Sequence, residues 1–180
     1  MSNEDRLIVS AVHGTITKRI SVYILSNDMS LEIAVVSFPA KHLLGVKVRT
    51  SMQSSATDCP ALWQAFSPRI AEMFMMGNAT FGVSVMVNEN DFDYWAAVES
   101  SSNTAVPDGM ETTEIPAGLY AQCNVPSLEQ LGEAFMYVYS QWIREQSEYT
   151  LDMHAPCFEL YPPNWQPSDA VAIYVPVLKK

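Results

Sequence analysis

The order of predicted secondary-structure elements repeats within this chain. Residues 43–100 are predicted as strand, helix, strand, strand, and residues 119–177 as the same four elements in the same order. Each helical segment carries apolar residues at helical spacing, and the strands are short runs rich in β-branched and aromatic residues. Two such halves favour an α+β fold with one antiparallel sheet, both helices on one sheet face, and a cleft between the halves.

The helix of the first half is predicted over residues 57–77, with Thr57 or Asp58 as its N-terminal cap. We expect Pro68 to kink or restart this helix, with Ser67 as the second cap, because proline lacks the N–H donor that a helix interior needs. Gly77 is expected to end it.

The helix of the second half is predicted to begin at Ser127, which is spaced to form a capping box with Gln130. The apolar residues that follow fall on one helical face. They are Leu128, Leu131, Phe135, Val138, Tyr139 and Trp142.

Two further strands, at residues 32–38 and 110–114, are predicted, one before each repeated unit. Two short runs of apolar residues lie near the N-terminus. The first 28 residues contain these two runs, which indicate a strand pair and are too short for a helix-turn-helix domain with its own core. The predicted division is an N-terminal extension over residues 1–28 and a domain over 29–180, with half-modules at about 31–100 and 106–178.

Composition narrows the classes of partner. Apolar residues make up 48% of the chain and charged residues 17%, against about 25% in an average protein. The net charge of −10 repels phosphate backbones, so we expect no direct nucleic-acid partner, and it favours the approach of cations. The three cysteines are odd in number and scattered, which predicts reduced thiols in a cytoplasmic protein. No run of 18 apolar residues exists, so no membrane association is expected.

A carboxylate stands in the middle of the stretch Pro156–Pro162, whose other residues favour a strand. In a strand, Cys157, Glu159 and Tyr161 share one face. One interpretation is an edge strand with Glu159 in water. The other is a buried anion awaiting a cationic ligand, because an ionised Glu in an apolar site is costly unless something pairs with it.

The chain resembles the GyrI-like small-molecule-binding domain, also called the AraC-type effector-binding domain. The segments that carry this resemblance are short and keep the family's order over residues 32–178. They are Pro60–Phe66, Tyr94–Val98, Pro107–Met110, Ile115–Ala121, Tyr139–Ile143, Phe158–Tyr161 and Ile173–Val177. The resemblance implies a duplicated strand-helix-strand-strand module with an aromatic ligand site between the halves and a buried Glu at the position of Glu159.

The residues expected to bind ligand combine Glu159 with aromatic side chains that can stack on flat rings or attract cations. Two residues of the first half, Gly82 and Ser84, match Glu159 and Tyr161 in the repeat. For each aromatic residue, packing in the core is the competing interpretation. The full set is Trp63, Phe66, Gly82, Ser84, Tyr94, Tyr120, Tyr139, Trp142, Glu159 and Tyr161.

The resemblance also implies the function, which is binding of bulky cationic or amphipathic aromatic molecules, as in stand-alone family members that include cationic drug-binding cassette proteins. Two alternatives stay open. One is hydrolysis of cyclopropane-containing toxins, with Glu159 and a Tyr as the reacting pair. The other is a gyrase-inhibitor-like protein contact. We expect no cofactor and no metal site, since no second ligand pair accompanies His154 and Cys157. A DNA-binding regulator or gyrase is the expected protein partner.

Overall fold

The structure, a computed structural model, describes residues 21–24, 30–73, 75 and 77–180. It contains ten strands, three α-helices, a 3-10 turn (Leu128–Gln130) and a π-helical turn (Val138–Trp142) within these residues. The strands are β1 (Ser21–Ile24), β2 (Ser30–Phe38), β3 (Lys41–Ser51), β4 (Thr80–Met86), β5 (Asp91–Glu99), β6 (Glu111–Ile115), β7 (Gly118–Val125), β8 (Tyr149–Leu151), β9 (Cys157–Tyr161) and β10 (Val171–Lys179). The helices are α1 (Ser55–Glu72), α2 (Leu131–Tyr137) and α3 (Ile143–Glu145).

All strands join one antiparallel sheet, in the order β1-β2-β7-β10-β9-β4-β5-β3-β6, with β8 paired to β10. One row of paired residues runs Ile173–Glu159–Gly82–Ala96 across four strands, and residues directly opposite each other point to the same face. Ile173 packs under the helical turns of residues 128–145, the second helical segment. Ala96 packs with Phe66 of α1. The predicted α+β fold with both helices on one sheet face is therefore confirmed.

The helix-bearing face of the sheet packs against two hydrophobic clusters, one under each helical segment. The other face curls around a third cluster, which we call the inner cluster. It brings together residues from both ends of the sheet and from its centre. Phe38 of β2 and Phe158 of β9 lie with ring centroids 4.9 Å apart, although two strands separate β2 from β9. Two residues alone connect β2 to β3, so those strand ends lie within about 11 Å of each other. The inner cluster consists of Phe38, Leu43, Phe81, Val83, Trp95, Ala97, Ile115, Tyr120 and Phe158.

The two halves exchange their leading strands. The first strand of half one, β2, pairs with β7 of half two, and β6 of half two pairs with β3 of half one. The predicted half-modules describe the element order correctly but not the pairing. Short corners at Pro39 and Pro116 carry the chain from one half to the other, and no local signal specifies that crossing.

The first helix differs from its prediction. It begins at Ser55, and Asp58 accepts a hydrogen bond from the Thr50 hydroxyl (2.7 Å) instead of capping the helix. It continues through Pro68, because Phe66 and Ile70 on either side of the proline are buried in the core under α1. Neither a restart nor a Ser67 cap forms. The helix also ends at Glu72, earlier than residue 77.

The second helical segment is not one regular helix. Its 3-10 turn follows Ser127, whose hydroxyl donates to the Gln130 side-chain oxygen at 3.2 Å, so the predicted capping box is replaced by a side-chain pair. The π-helical turn then separates α2 from α3. None of the helices in the described ranges is long and apolar enough to span a membrane.

Near the N-terminus, the first predicted apolar run lies outside the described residues. The second contains β1, which pairs with β2. The three-residue strand β8 was not predicted. The division between residues 28 and 29 stays a prediction.

Candidate functional site

Glu159 lies on a central strand between the two helical segments. Its strand, β9, is flanked by β10 and β4, so the interpretation as an edge strand with Glu159 in water does not apply. Glu159 is 9% exposed, and it is the one buried Asp, Glu, Lys or Arg among the described residues. The carboxyl group therefore lies between strands of the two halves, on the sheet face that carries the helices, at the position of the predicted cleft.

Two tyrosine hydroxyls converge on the same oxygen of this carboxyl group. Tyr94 of β5 donates to Glu159 Oε2 at 2.9 Å, and Tyr161 of β9 donates to the same atom at 2.6 Å. Trp63 of α1 donates its indole N–H to the Tyr94 hydroxyl at 2.9 Å. No described residue donates a hydrogen bond to Oε1, so this oxygen is free to meet a ligand or to carry a proton.

The environment shifts the pKa of every member of this cluster upward. Burial raises the pKa of Glu159 above its ordinary value of 4.5, and the hydrogen bonds from Tyr161 and Tyr94 offset this only in part. Burial and the charge of Glu159 raise the pKa of Tyr94 and of Tyr161. Both hydroxyls therefore keep their protons at neutral pH and act as donors.

Gly82 makes space for this cluster. It lies opposite Glu159 in the β4–β9 pairing and opposite Ala96 in the β4–β5 pairing. A β-carbon at position 82 would overlap the Tyr94 hydroxyl and Glu159 Oε2 and would lie 3.0 Å from the carboxyl carbon. The absence of a side chain at Gly82 is thus what allows Tyr94 and Glu159 to meet.

We expect Gly82→Ala to lower the free energy of unfolding by about 1–3 kcal/mol, the usual range for overpacking. The added methyl group forces apart Tyr94 and Glu159, and the buried polar atoms lose their partners. Urea denaturation measures the change. In a Tyr94→Phe background the hydroxyl is absent, so the same substitution should cost clearly less. Strictly additive effects of the two substitutions would contradict this account.

An aromatic row extends from the carboxyl group to the surface. Tyr161 lies between Trp63 and Trp165, with ring centroids 5.4 and 4.9 Å away and edge-to-face geometry on both sides. Both tryptophans are half-buried, so parts of their rings are accessible. Trp165 was not predicted. It is placed by a turn in which Asn164 has a φ of 64°, a conformation that asparagine tolerates well.

Two thiols complete the site. Cys157 lies beside Tyr139 and opposite Ser84 in the β4–β9 pairing, and burial raises its pKa to about 11. Cys59 of α1 also lies near the carboxylate. Burial, with the charge of Glu159, raises its pKa to about 12. Cys59 was missed by the sequence analysis, although its position one helical turn before Trp63 puts both residues on one helix face.

Three residues of the predicted set lie in the hydrophobic core of this structure. Phe66 is fully buried beneath α1, and Trp142 is 2% exposed in the core under the second helical segment. Tyr120 lies on the opposite sheet face, in the inner cluster, where its hydroxyl donates to the carbonyl oxygen of Pro116. For these three, packing in the core describes their position.

The sequence profile of the GyrI-like small molecule binding domain matches residues 31–178, which is most of the chain. The chain belongs to this family. Within the duplicated domain of this family, the cluster of Glu159, Tyr94, Tyr161 and Trp63 lies between the two halves, on the sheet face that carries the helices.

Relatives fit this assignment. The chain is 25% identical over 156 residues to the transcriptional regulator BrlR of Pseudomonas aeruginosa, a match that covers 82% of this chain and 56% of BrlR. The GyrI-like chain thus spans little more than half of that regulator's length.

Two solved structures share the fold. An integron cassette protein from the mobile metagenome of Vibrio cholerae superposes with a TM-score of 0.63 and 15% identity, covering 81% of this chain and 95% of the cassette protein. The protein SAV2435, solved with bound tetraphenylphosphonium, has a TM-score of 0.64 and 16% identity over 82% of this chain and 94% of its own. At these identities the similarity establishes the fold alone.

Proposed function

We propose that this GyrI-like domain binds small, bulky, cationic or amphipathic aromatic molecules, with Glu159 as the charged anchor. The observation that carries the proposal is a buried carboxyl group whose hydrogen-bond partners, Tyr94 and Tyr161, are both neutral donors. A buried carboxylate is stabilised most by a positive charge. A cationic ligand would provide one.

The cationic side chains of the described residues do not fill that role. Lys41, Lys47 and Arg49 pair with Glu99, Glu111 and Asp93. Arg69 donates to the carbonyl oxygen of Asp108, and Lys180 to that of Gln146. No ion pair to Glu159 forms within the described ranges. The net charge of −10 adds a long-range attraction for cations.

The aromatic row supplies the rest of the ligand's contacts. Trp63, Tyr161 and Trp165 are aromatic side chains whose faces attract cations and whose faces and edges pack against flat rings. The similarly folded SAV2435 has been solved with tetraphenylphosphonium, a bulky aromatic cation, which makes this ion a suitable first probe.

We expect Glu159→Gln to weaken binding of tetraphenylphosphonium by about 1.5–3 kcal/mol, the range for a contact with a charged group. The substitution keeps the shape and removes the charge. Quenching of tryptophan fluorescence measures the affinity, because Trp63 and Trp165 pack on either side of Tyr161, which donates to the carboxyl group. Binding of the neutral triphenylphosphine oxide should change little, and the anionic tetraphenylborate should not bind the wild type.

Glu129→Gln is the matched control. Glu129 is exposed, so this variant loses the same unit of net charge without touching the cleft. Its affinity should equal that of the wild type within error. Equal affinity of wild type and Glu159→Gln for the phosphonium ion would refute the anchor role.

Analysis of the recovered ligand tests the hydrolase alternative, which the same geometry can serve, since the two tyrosine hydroxyls can donate protons beside a carboxylate. Intact ligand favours a binding protein. Ring-opened or hydrolysed product from a cyclopropane-containing probe, absent with Glu159→Gln, would make Glu159 catalytic instead.

A protein partner is the further part of the proposal. BrlR is a transcriptional regulator longer than this chain, so we propose that ligand binding here is communicated to a DNA-binding regulator, with gyrase as the alternative partner. A pull-down with and without tetraphenylphosphonium distinguishes a ligand-dependent contact from a constitutive one, which cleft variants should not abolish.

A further inference from the structure

We propose that the cleft works as a cation–proton exchanger: without ligand, Glu159 is the neutral acid with its proton on Oε1, and one proton leaves to solvent for each monovalent cation bound. This inference rests on the proposed function and specifies how the same site is regulated. The proton departs from the O–H bond of Oε1 to water or buffer, and the ligand's positive charge then faces the carboxylate, so the charge inside the cleft is unchanged.

The distribution of hydrogen bonds is asymmetric in the way a neutral acid requires. Both hydroxyl donors, from Tyr94 and Tyr161, use Oε2. A protonated carboxyl group needs one oxygen that accepts and one that carries the proton, and Oε1, without a donor among the described residues, fits the second role. The residue is 9% exposed, which disfavours the charged form.

The groups that face the carboxyl group are neutral or acidic on every element packed against it. On β9 these are Cys157 and Tyr161, on β5 Tyr94, and on α1 Cys59 with Asp58 close by. Among the neighbours on other elements, β4 supplies Gly82 and Ser84, β10 supplies Ile173, and the π-helical turn supplies Tyr139. No cation from the described residues pairs with the ionised form. Burial raises the pKa of Glu159, which also favours the neutral acid.

The exchange fixes the sign of the pH dependence. A bound cation lowers the pKa of Glu159, while the free site holds the proton up to a higher pH. Between these two pKa values, affinity for the cation rises about tenfold per pH unit. Above the raised pKa of the free site the carboxylate is already ionised, and affinity no longer changes with pH.

The experiment is calorimetric titration of the whole chain with tetraphenylphosphonium, which has no titratable group of its own. At each pH between 5 and 8, two buffers with different ionisation enthalpies are compared, and the dependence of the observed heat on buffer counts the protons released. We expect the number of protons released per bound cation to approach one at the acidic end of this range and to fall towards zero as pH rises. In Glu159→Gln the value should be zero throughout, and Glu129→Gln should behave as the wild type.

A second measurement does not depend on the ligand. Carbon-13 NMR of glutamate carboxyl groups in the ligand-free chain, assigned by comparison with Glu159→Gln, should show this carboxyl group titrating above its ordinary value of 4.5. Titration in the ordinary range, or proton-free binding of the phosphonium ion at all pH values, would overturn the exchange and leave the anchor role intact. Absence of any phosphonium binding would overturn both proposals.

Discussion

Phe158→Ala is expected to lower the free energy of unfolding by about 3–5 kcal/mol, the range for truncating a buried aromatic side chain. Phe158 is 1% exposed and lies at the centre of the inner cluster. Its ring stacks on Tyr174 at 4.6 Å and packs edge-on against Tyr120 at 5.2 Å. Domains of this size have only about 5–15 kcal/mol of stability in total, so the loss is a large fraction.

Urea denaturation followed by far-UV circular dichroism measures the effect of Phe158→Ala. Met153→Ala, at a side chain that is 69% exposed, is the control and should stay within about 0.5 kcal/mol of wild type. A loss below about 1 kcal/mol for Phe158→Ala would contradict the curled sheet, because a face open to water would lose little on truncation.

Substitution of the neighbouring residue, Glu159→Gln, should instead raise the free energy of unfolding. The two side chains point to opposite sheet faces, Phe158 into the inner cluster and Glu159 into the cleft. Replacing Phe158 removes packing, whereas Glu159→Gln removes a group that is costly to ionise without a ligand. One strand thus carries a core residue and the proposed ligand anchor side by side.

Gly45→Ala is expected to have the second large effect. It should lower the free energy of unfolding by an amount near the upper end of the range for overpacking, about 1–3 kcal/mol. Gly45 lies on β3 between β5 and β6. A β-carbon there would overlap the carbonyl oxygen of Ala96 and lie 2.7 Å from the Cα of Ala97. These are backbone atoms, so the strands themselves must separate. At Gly82, by contrast, the obstructing atoms belong to side chains.

Thermal and urea denaturation of Gly45→Ala test this expectation. Gly132→Ala is the matched control, because a β-carbon at Gly132 of α2 meets no atom within 4 Å. That variant should gain about 0.5–1 kcal/mol, since alanine loses less backbone entropy than glycine in a helix. Unchanged stability of Gly45→Ala would show that β3 and β5 are less closely paired than the structure has them.

The sequence by itself determined most of the elements and their order, apart from β8 and the division of the second helix. Helical spacing and strand alternation follow from the backbone periods of 3.6 and 2 residues, which are local properties. The placement of Cys157, Glu159 and Tyr161 on one strand face was predictable for that reason. So was the repeated strand-helix-strand-strand order. The continuation of α1 through Pro68 was not, because burial of the flanking residues outweighs the lost hydrogen bond.

Only the tertiary structure decided which side chains meet. Tyr94 reaches Glu159, 65 positions further along the chain, because β4 lies between their strands and presents Gly82 between the two side chains. The exchange of β2 and β6 between halves, which turns Tyr120 into the inner cluster, is equally non-local. Local sequence encodes the face of a strand that a residue occupies. Convergence of a site depends on contacts between distant strands, which are established when the sheet curls and packs.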